Sequence, residues 1–341
     1  MRHDYAGVVL IVIWLVWIVV ASIRMASNPL PAVLLVSGCA LAMWVSRAAA
    51  TRTPVAVPTV IVMLAAVLGG SAGGALVDGG PLARPLGYSN ANAAFFVQAA
   101  VAGLMVGRIA KRRWLRGIGF AAAFSFALVP ALTDSTTGVI LLIVLTPVAL
   151  LLERGYGART AVTFCAGFWA VVLAGSVWLG ALYEPGVGRA EGPELAVATL
   201  SERRLVLWNE ALMMATEHPI FGIGASDFAK ASPTARANRD ARFAHHEFLQ
   251  HAAEVGIPGV VLMIAAFAWG FLLLGIRART HSNVVLPAVA WTALGVHASI
   301  DYVLHFVAVP LAAATLLGAG LGVGALGQVQ HNRQRMMGRS V

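Results

Sequence analysis

Adjacent histidines stand at the mouth of a hydrophobic segment. The stretch "AHHEFLQHAAEVGIPG" (244–259) places His245 and His246 directly before a long apolar run, where ionisable groups are costly. A partly buried imidazole can accept a proton from an attacking hydroxyl group. On a continuous helix, His245 shares an apolar face with Leu249 and Ala252. The spacing therefore favours either a general base or an interfacial histidine that only satisfies hydrogen bonds.

A pair of arginines opens the preceding segment, "TLSERRLVLWNEALMMATEHPIFGIGASDF". Thr199 and Glu202 have the spacing of a capping box, and Pro219 disfavours helix at the residue before it, so we expect a helix over about 200–217. Its apolar stripe predicts an amphipathic helix that lies on the membrane surface or caps a helix bundle. The helix dipole does not favour cations in the first turn. An anionic ligand would explain the two arginines, and so would solvation or pairing with Glu202 or lipid headgroups.

Metal and cofactor motifs are weak. "HHEFLQH" resembles the zinc motif H-E-x-x-H, but His246 and His251 would point about 140° apart on one helix. The "FGIG" of 221–224 is either a phosphate cradle or, more typically for an isolated G-x-G, a turn. Cys39 and Cys165 lie inside apolar runs, which indicates neither a disulfide nor a cysteine metal site. No metal and no cofactor is predicted.

Three further stretches bring polar residues to segment ends. "GYSNANAAFF" (87–96), "ALTDSTTGV" (131–139) and "GVHASIDYVLHF" (295–306) contain Ser89, Asn90, Asn92, Asp134, Ser135, Thr136, Thr137, His297, Asp301 and His305. Asp301 is the least expected of these, because a carboxylate at membrane depth usually faces a cavity or a partner. Each stretch alone is explained by turns and helix caps. Together they predict one polar cavity beneath a long outer loop.

The composition places these residues in a membrane protein. The chain is 59% hydrophobic and 11% charged, with a mean hydropathy of +0.80, far outside the range of soluble domains. About ten apolar segments are candidates to cross a bilayer, and the first is read as a retained helix because its apolar run is longer than that of a signal peptide. They cover roughly 6–23, 29–46, 54–70, 93–108, 117–132, 138–152, 160–183, 256–276, 284–300 and 303–325.

Charge asymmetry sets the expected orientation. With both termini in the cytoplasm, 15 of the 24 basic residues fall on the cytoplasmic side, as the positive-inside rule requires. The hydrophilic segment 184–254 then lies outside and holds seven basic and ten acidic residues. The basic charge of the whole chain is therefore explained by the membrane topology and by contact with anionic lipids, and nucleic-acid binding is not predicted.

The predicted fold class is an all-α polytopic transmembrane helix bundle with one long extracytoplasmic helical loop. We divide the chain into an N-terminal transmembrane bundle of about seven spans (1–183), the extracytoplasmic loop with its amphipathic helix (184–254), and about three C-terminal transmembrane helices with a basic cytoplasmic tail (255–341). The polar cavity is expected at the outer ends of these helices.

Two motifs give the chain a resemblance to the O-antigen ligase and O-antigen polymerase superfamily. "RLVLWNEALMMATEHPIFGIGASDF" (204–228) and "AHHEFLQHAAEVGIPGVV" (244–261) are similar to that family's Arg…Trp…His-Pro…Gly-x-Gly and His-Asn-x-x-Leu…Glu-x-Gly-x-x-Gly patterns. "GYSNANAAFF" and "HASIDYVLHF" are weaker similarities, so the resemblance runs over about 87–318. It implies a polytopic enzyme of the bacterial cytoplasmic (inner) membrane that moves glycans from polyprenyl diphosphate carriers at the outer face.

The resemblance also implies roles for particular residues. His245 matches the essential histidine and Arg204 the loop arginine, which makes these two the expected catalytic residues. His246 stands where the family usually has asparagine, so which imidazole acts is left open. The family often has Ser-Arg where this chain has Ser135 and Thr136, so one diphosphate contact is either missing or supplied by Arg203 or Arg84. The expected substrate-binding residues are Arg203, His246, Asp301, Asn90 and Ser135.

The implied reaction is glycosyl transfer that inverts the anomeric carbon and needs no metal. The expected partners are a polyprenyl diphosphate-linked glycan donor, a lipid or glycan acceptor and membrane lipids. Polymerisation of repeat units is an alternative that uses the same local chemistry. A transporter or flippase, with Asp301 and His297 as binding or proton-relay residues, is a second alternative, and a scaffold for envelope assembly is a third.

Overall fold

The computed structural model describes residues 2–76, 83–133, 135–143, 157–183, 201–238 and 241–323. Within these ranges the chain is helical, with no strand, which confirms the predicted all-α polytopic bundle. The main helices are α1 (Arg2–Arg24), α2 (Leu30–Arg52), α3 (Ala56–Ala72), α4 (Ser89–Ile109), α5 (Arg113–Leu132), α6 (Ala158–Leu182), α7 (Glu202–Glu217), α8 (Phe228–Ala231), α9 (Pro233–Ala237), α10 (Glu247–Arg277), α11 (Val285–Ala298) and α12 (Ala308–Gly322).

Among the described residues, seven helical segments are long and apolar enough to cross a membrane, namely those of α1 to α6 and α10. Two further apolar helices, α11 and α12, are shorter. These nine helices overlap nine of the predicted spans. The other predicted span, 138–152, lies largely outside the described residues, so the number of ten spans stays a prediction. The chain is a multi-pass membrane protein.

The chain forms two compact units that are interleaved along the sequence. The first comprises the residues up to Gly38, Gly167–Trp269 and Gly295–His305, and the second comprises Cys39–Ala166, Gly270–Leu294 and the residues from Phe306 onward. The division by topology at residues 183 and 254 stays a prediction, because compactness groups the chain by a different criterion.

Small residues bring helices of the second unit into close contact. A Cβ atom on Gly103 would lie 2.7 Å from the backbone nitrogen of Ala123, and one on Gly119 would lie 2.5 Å from that of Gly107. Such contact between backbones is typical of membrane helices, where packing replaces the hydrophobic driving force. In this unit α4 is almost entirely enclosed by protein.

The first unit contains the amphipathic helix predicted from the sequence. Leu205, Trp208 and Ala211 on α7 are buried in a core with Phe228 and Leu249. The helix therefore covers protein, as the bundle-capping alternative expects. Ser201 is the N-cap of this helix and its side chain makes no capping bond, while Glu202 accepts a hydrogen bond from Tyr183. Thr199, the other residue of the expected capping box, lies outside the described residues, so the box stays a prediction.

A kink near the start of α10 shapes the region that carries the histidines. Gly256 has φ 79° and ψ 175°, which interrupts the helix, and the following Pro258 has no N–H to donate. The carbonyl groups that lose their helical hydrogen bonds at this kink accept hydrogen bonds from other segments. Trp17 donates to Val255 O at 2.9 Å, and the "FGIG" backbone donates to the carbonyls of the two preceding residues. These bonds hold the residues of α10 before Gly256 as a separate short helix.

Candidate functional site

A single buried carboxylate joins the two residues that the sequence motifs favour. Asp301 is 1% exposed, and its Oδ2 atom lies 3.2 Å from Nη2 of Arg204. Its Oδ1 atom lies 3.0 Å from Nδ1 of His245 and accepts the backbone N–H of Tyr302 at 2.8 Å. A buried carboxylate is tolerated when it is paired and hydrogen-bonded in this way. Asp301 therefore fixes the relative position of an arginine and a histidine that are 41 residues apart.

The first turn of α7 presents its two arginines differently. Arg204 reaches Asp301 and the carbonyl of Ile300, at 3.5 Å, while 20% of its side chain stays exposed. Arg203 is exposed, because neighbouring residues on a helix point about 100° apart. Arg204 thus belongs to the Asp301 cluster, and Arg203 projects away from it.

His245 occupies a backbone conformation that is unfavourable for a residue with a side chain. Its φ is 53°, in the left-handed region, which costs about 1–3 kcal/mol in such residues and is found at functional sites. The expectation that His245 continues the apolar face of a helix is wrong, since α10 begins at Glu247. The reversal of the backbone turns the His245 side chain toward Asp301.

Hydrogen bonds on both sides hold this strained backbone. Trp208 Nε1 donates to the carbonyl oxygen of His245 at 3.0 Å, and the N–H of Ala244 donates to Oε1 of Gln250 at 3.0 Å. Gln250 is oriented in turn by Glu254, whose Oε1 accepts from its amide nitrogen at 3.1 Å. The position of the imidazole is therefore determined by buried groups on α7 and α10.

The contact with Asp301 defines what the His245 ring can do. A carboxylate accepts a hydrogen bond, so Nδ1 carries the proton of the neutral ring and Nε2 keeps its lone pair. The ring also meets Tyr302 edge-on, with centroids 4.6 Å apart, and its side chain is 15% exposed. An oriented, partly accessible imidazole backed by a carboxylate is suited to act as a general base.

His246 lies in the opposite environment. It is fully buried, and its Nε2 is 2.9 Å from the hydroxyl of Ser176. The N–H of Leu249 donates to its Nδ1 at 3.2 Å, while Ser176 donates its own proton to Leu173 O, so the His246 ring is neutral with its proton on Nε2. Burial lowers the pKa of His246 to about 3. Both nitrogens are used, and the geometry assigns this histidine to the core.

The other expected substrate contacts lie in the second compact unit. Asn90 is in the first turn of α4 and donates to the hydroxyl of Tyr88 at 3.0 Å. Ser135 is 1% exposed, and its hydroxyl accepts the N–H of Gly138 at 3.3 Å, as a helix cap does. Their substrate contacts stay predictions, and Asp134 lies outside the described residues.

Neither a phosphate cradle nor a metal cluster is found in the described part of the chain. The N–H groups of Ile223 and Gly224 donate to the carbonyls of Ala253 and Glu254, at 2.8 and 2.9 Å. These amides are therefore not available to an anion, which favours the turn interpretation of 221–224. The described residues contain no group of three His, Cys, Asp or Glu side chains that could hold a metal ion.

Several residues of the site were not singled out from the sequence. Glu247 is 7% exposed and pairs with His305, Gln250 orients the strained loop, and Tyr302 contacts His245. Glutamate and glutamine in the first turns of a helix normally face solvent, and nothing in their spacing indicates otherwise. Their burial at the start of an apolar segment is seen only in the structure.

Comparison with known proteins agrees with the motifs. A family model described as O-Antigen ligase matches residues 120–264, which includes Arg204, Trp208 and both histidines. Asp301 lies beyond the matched region and joins the site only through the fold. No curated protein matches the chain. The region that carries the strained histidine and its arginine thus matches the O-antigen ligase family model, which confirms the resemblance that the motifs indicated.

Proposed function

We propose that the protein is an O-antigen ligase-like glycosyltransferase that moves a glycan from a polyprenyl diphosphate carrier to an acceptor hydroxyl. The observation that carries this proposal is the attachment of Arg204 and His245 to the same buried carboxylate of Asp301. One cation and one base held in a fixed relation suit a reaction in which a diphosphate departs while a hydroxyl attacks. The match to the O-antigen ligase family supports the same reaction class.

In the proposed reaction, Nε2 of His245 takes the proton of the acceptor hydroxyl. The freed oxygen forms a bond to the anomeric carbon of the donor glycan from the side opposite the diphosphate. The bond from that carbon to the diphosphate oxygen breaks, its electron pair leaves with the carrier, and the configuration at the carbon inverts. Asp301 stabilises the imidazolium that forms, and Arg204 binds the departing diphosphate through its planar set of N–H donors.

We place the reaction at the outer face of the bacterial inner membrane, with both termini in the cytoplasm. Support comes from the distribution of basic residues along the chain, which follows the positive-inside rule when residues 184–254 lie outside. A donor carried by a membrane lipid suits a site that borders membrane-spanning helices. We propose ligation, and polymerisation of repeat units would use the same base and the same cation.

The test is the envelope glycan profile of a deletion strain complemented with wild type, His245→Gln or Arg204→Gln. Loss of the base should reduce transfer about 10²- to 10⁴-fold, and lipid-linked glycan should accumulate in both variants. Arg236→Gln, which removes an exposed arginine from the same segment, is the matched control and should transfer normally. Membrane levels of every variant are measured in parallel.

The profile also separates the alternatives. Short, unpolymerised units on the normal acceptor would favour a polymerase over a ligase. Full transfer by His245→Gln at normal membrane level would reject the proposed base. Full transfer by both variants would favour a transporter or a scaffold over a glycosyltransferase.

A further inference from the structure

A second carboxylate–histidine pair lies beside the first. Glu247 Oε1 is 3.2 Å from Nδ1 of His305 and also accepts the backbone N–H of Leu304 at 2.8 Å. The pair repeats the arrangement of Asp301 and His245, because in both a buried carboxylate holds Nδ1. Nε2 of His305 therefore points away from Glu247, on a side chain that is 37% exposed.

The surroundings of His305 favour its protonated form. Burial by itself would lower the pKa of His305, but the carboxylate of Glu247 and the more distant Glu254 raise it above its ordinary value. The ring of Phe243 lies 4.1 Å from the His305 ring, centroid to centroid, and the face of an aromatic ring attracts a cation. His305 thus offers a positive N–H donor toward the outside of the pair.

The two histidines border the same aromatic cluster. Tyr302 meets the ring of His245 at 4.6 Å and that of His305 at 6.3 Å, between centroids, and Phe243 stacks on Tyr302 at 4.7 Å. The positive donor is therefore one tyrosine ring away from the proposed base. The group that departs from the reacting carbon must lie within a few ångströms of that base.

Arg204 alone is a limited partner for a diphosphate. Two of its donor nitrogens already contact Asp301 and the carbonyl of Ile300, whereas a diphosphate presents several charged oxygens. A structural explanation for His305 is that it fixes the 303–305 turn. The N–H of Leu304 already makes that attachment to Glu247, so the turn does not require a charged ring.

We infer that His305, held by Glu247, is a second cationic contact for the diphosphate of the lipid carrier. The inference rests on the proposed function and extends it, since it assigns an anion-binding role to a residue outside the two main motifs. His305 would bind the substrate through Nε2–H, and Glu247 would act as its positioning residue.

Binding of farnesyl diphosphate, a short polyprenyl diphosphate, to purified protein in detergent tests the inference without requiring turnover. His305→Gln keeps a hydrogen-bonding side chain without a charge and should weaken binding about tenfold near pH 6, the scale of one charge-assisted hydrogen bond. Glu247→Gln keeps an acceptor for Leu304 and should weaken binding less. His305→Arg keeps a cationic donor at this position and should retain binding.

Controls separate this inference from the proposed function. His245→Gln should bind the probe normally while failing to transfer glycan. His281→Gln, which changes a half-buried histidine of the other compact unit, should alter neither probe binding nor glycan transfer. Phosphatidylglycerol is the competing ligand. Equal affinity of wild type and His305→Gln for the probe, no binding by the wild type, or full competition by phosphatidylglycerol would each overturn the inference. Failure of His245→Gln to affect transfer would instead overturn the proposed function.

Discussion

Two consecutive histidines of this protein lie in opposite environments. His245 is partly accessible, has a strained backbone and donates to a carboxylate, whereas His246 is fully enclosed and binds Ser176 and the backbone of Leu249. The difference arises from one left-handed residue, which sends one side chain toward the Asp301 cluster and the next into the core. Chemical identity therefore does not distinguish the two imidazoles; the backbone conformation does.

The contrast also explains a departure from the family pattern. Asparagine, which the family usually has at position 246, offers one N–H donor group and one carbonyl acceptor. The neutral ring of His246 offers the same pair, a donor at Nε2 and an acceptor at Nδ1. Histidine at this position thus replaces an amide in connecting Ser176 and the backbone of Leu249 within the core.

The largest expected effect comes from removing the carboxylate that distinguishes the two histidines. In Asp301→Asn the amide can present its NH₂ group to Nδ1 of His245, which moves the ring proton to Nε2 and removes the basic lone pair. Arg204 loses its ion pair at the same time. We expect glycan transfer to fall about 10²- to 10⁴-fold, measured as transfer per amount of membrane-inserted protein.

The matched control is Asp227→Asn, which neutralises a more exposed carboxylate that pairs with Lys230. This variant should transfer glycan at the wild-type level. Transfer by Asp301→Asn within a few-fold of wild type would mean that His245 does not depend on the carboxylate. The contact with Asp301 would then not explain a difference in reactivity between the two histidines.

Much of this arrangement could be predicted from the sequence, and the part that could not has a physical cause. Apolar runs indicate membrane helices directly, so nine predicted spans overlap the observed helices. The motif residues Arg204 and His245 were expected to act together, and their common partner Asp301 was noted for its cost in a membrane. The left-handed turn at His245 could not be predicted, because it depends on hydrogen bonds from Trp208 and Gln250 that form only in the folded chain.

Local signals are incomplete where a distant partner uses the same atom. The spacing of Thr199 and Glu202 predicts a capping box, and in the structure Glu202 accepts a hydrogen bond from Tyr183, while Thr199 lies outside the described residues. The sequence left a phosphate cradle and a turn open for 221–224, and the turn is favoured because the N–H groups of Ile223 and Gly224 donate to carbonyls near the kink of α10. A short-range pattern does not show which distant group will use its hydrogen-bonding atoms.

Substitutions of His246 sharpen the comparison through stability. His246→Leu leaves the hydroxyl of Ser176 and the N–H of Leu249 with one partner fewer in the core, so the free energy of unfolding should fall by about 1–3 kcal/mol. His246→Asn restores a donor and an acceptor and should lose clearly less. Thermal unfolding in detergent, followed by fluorescence, measures both. If His246→Asn is as stable as wild type but inactive, His246 has a chemical role and our assignment of it to the core is wrong.

A smaller effect is expected from loosening the strained backbone. Trp208→Phe removes the hydrogen bond to the carbonyl of His245 and keeps an aromatic ring in the core, so transfer per folded protein should fall about threefold to tenfold, the value of one hydrogen bond. Trp169→Phe is the control, because Trp169 is a buried ring that packs against Phe248 and Phe267. Equal activity of the two variants would indicate that the His245 backbone holds its position without Trp208.

The smallest expected effect is a dependence of stability on pH that belongs to His246 alone. Its pKa falls from an ordinary value of 6.5 to about 3 in the folded protein because the ring is buried. The unfolded chain therefore binds a proton below about pH 6.5 that the folded protein refuses, so the contribution of His246 is complete above that pH and is lost as the pH falls toward about 3. Between about pH 7 and about pH 6 the loss should be under about 1 kcal/mol. The difference in unfolding temperature between wild type and His246→Asn should shift in favour of the variant as the pH is lowered, because asparagine does not titrate. A constant difference across this range would show that His246 is not held neutral in the core, and the two histidines would then be more alike than their surroundings indicate.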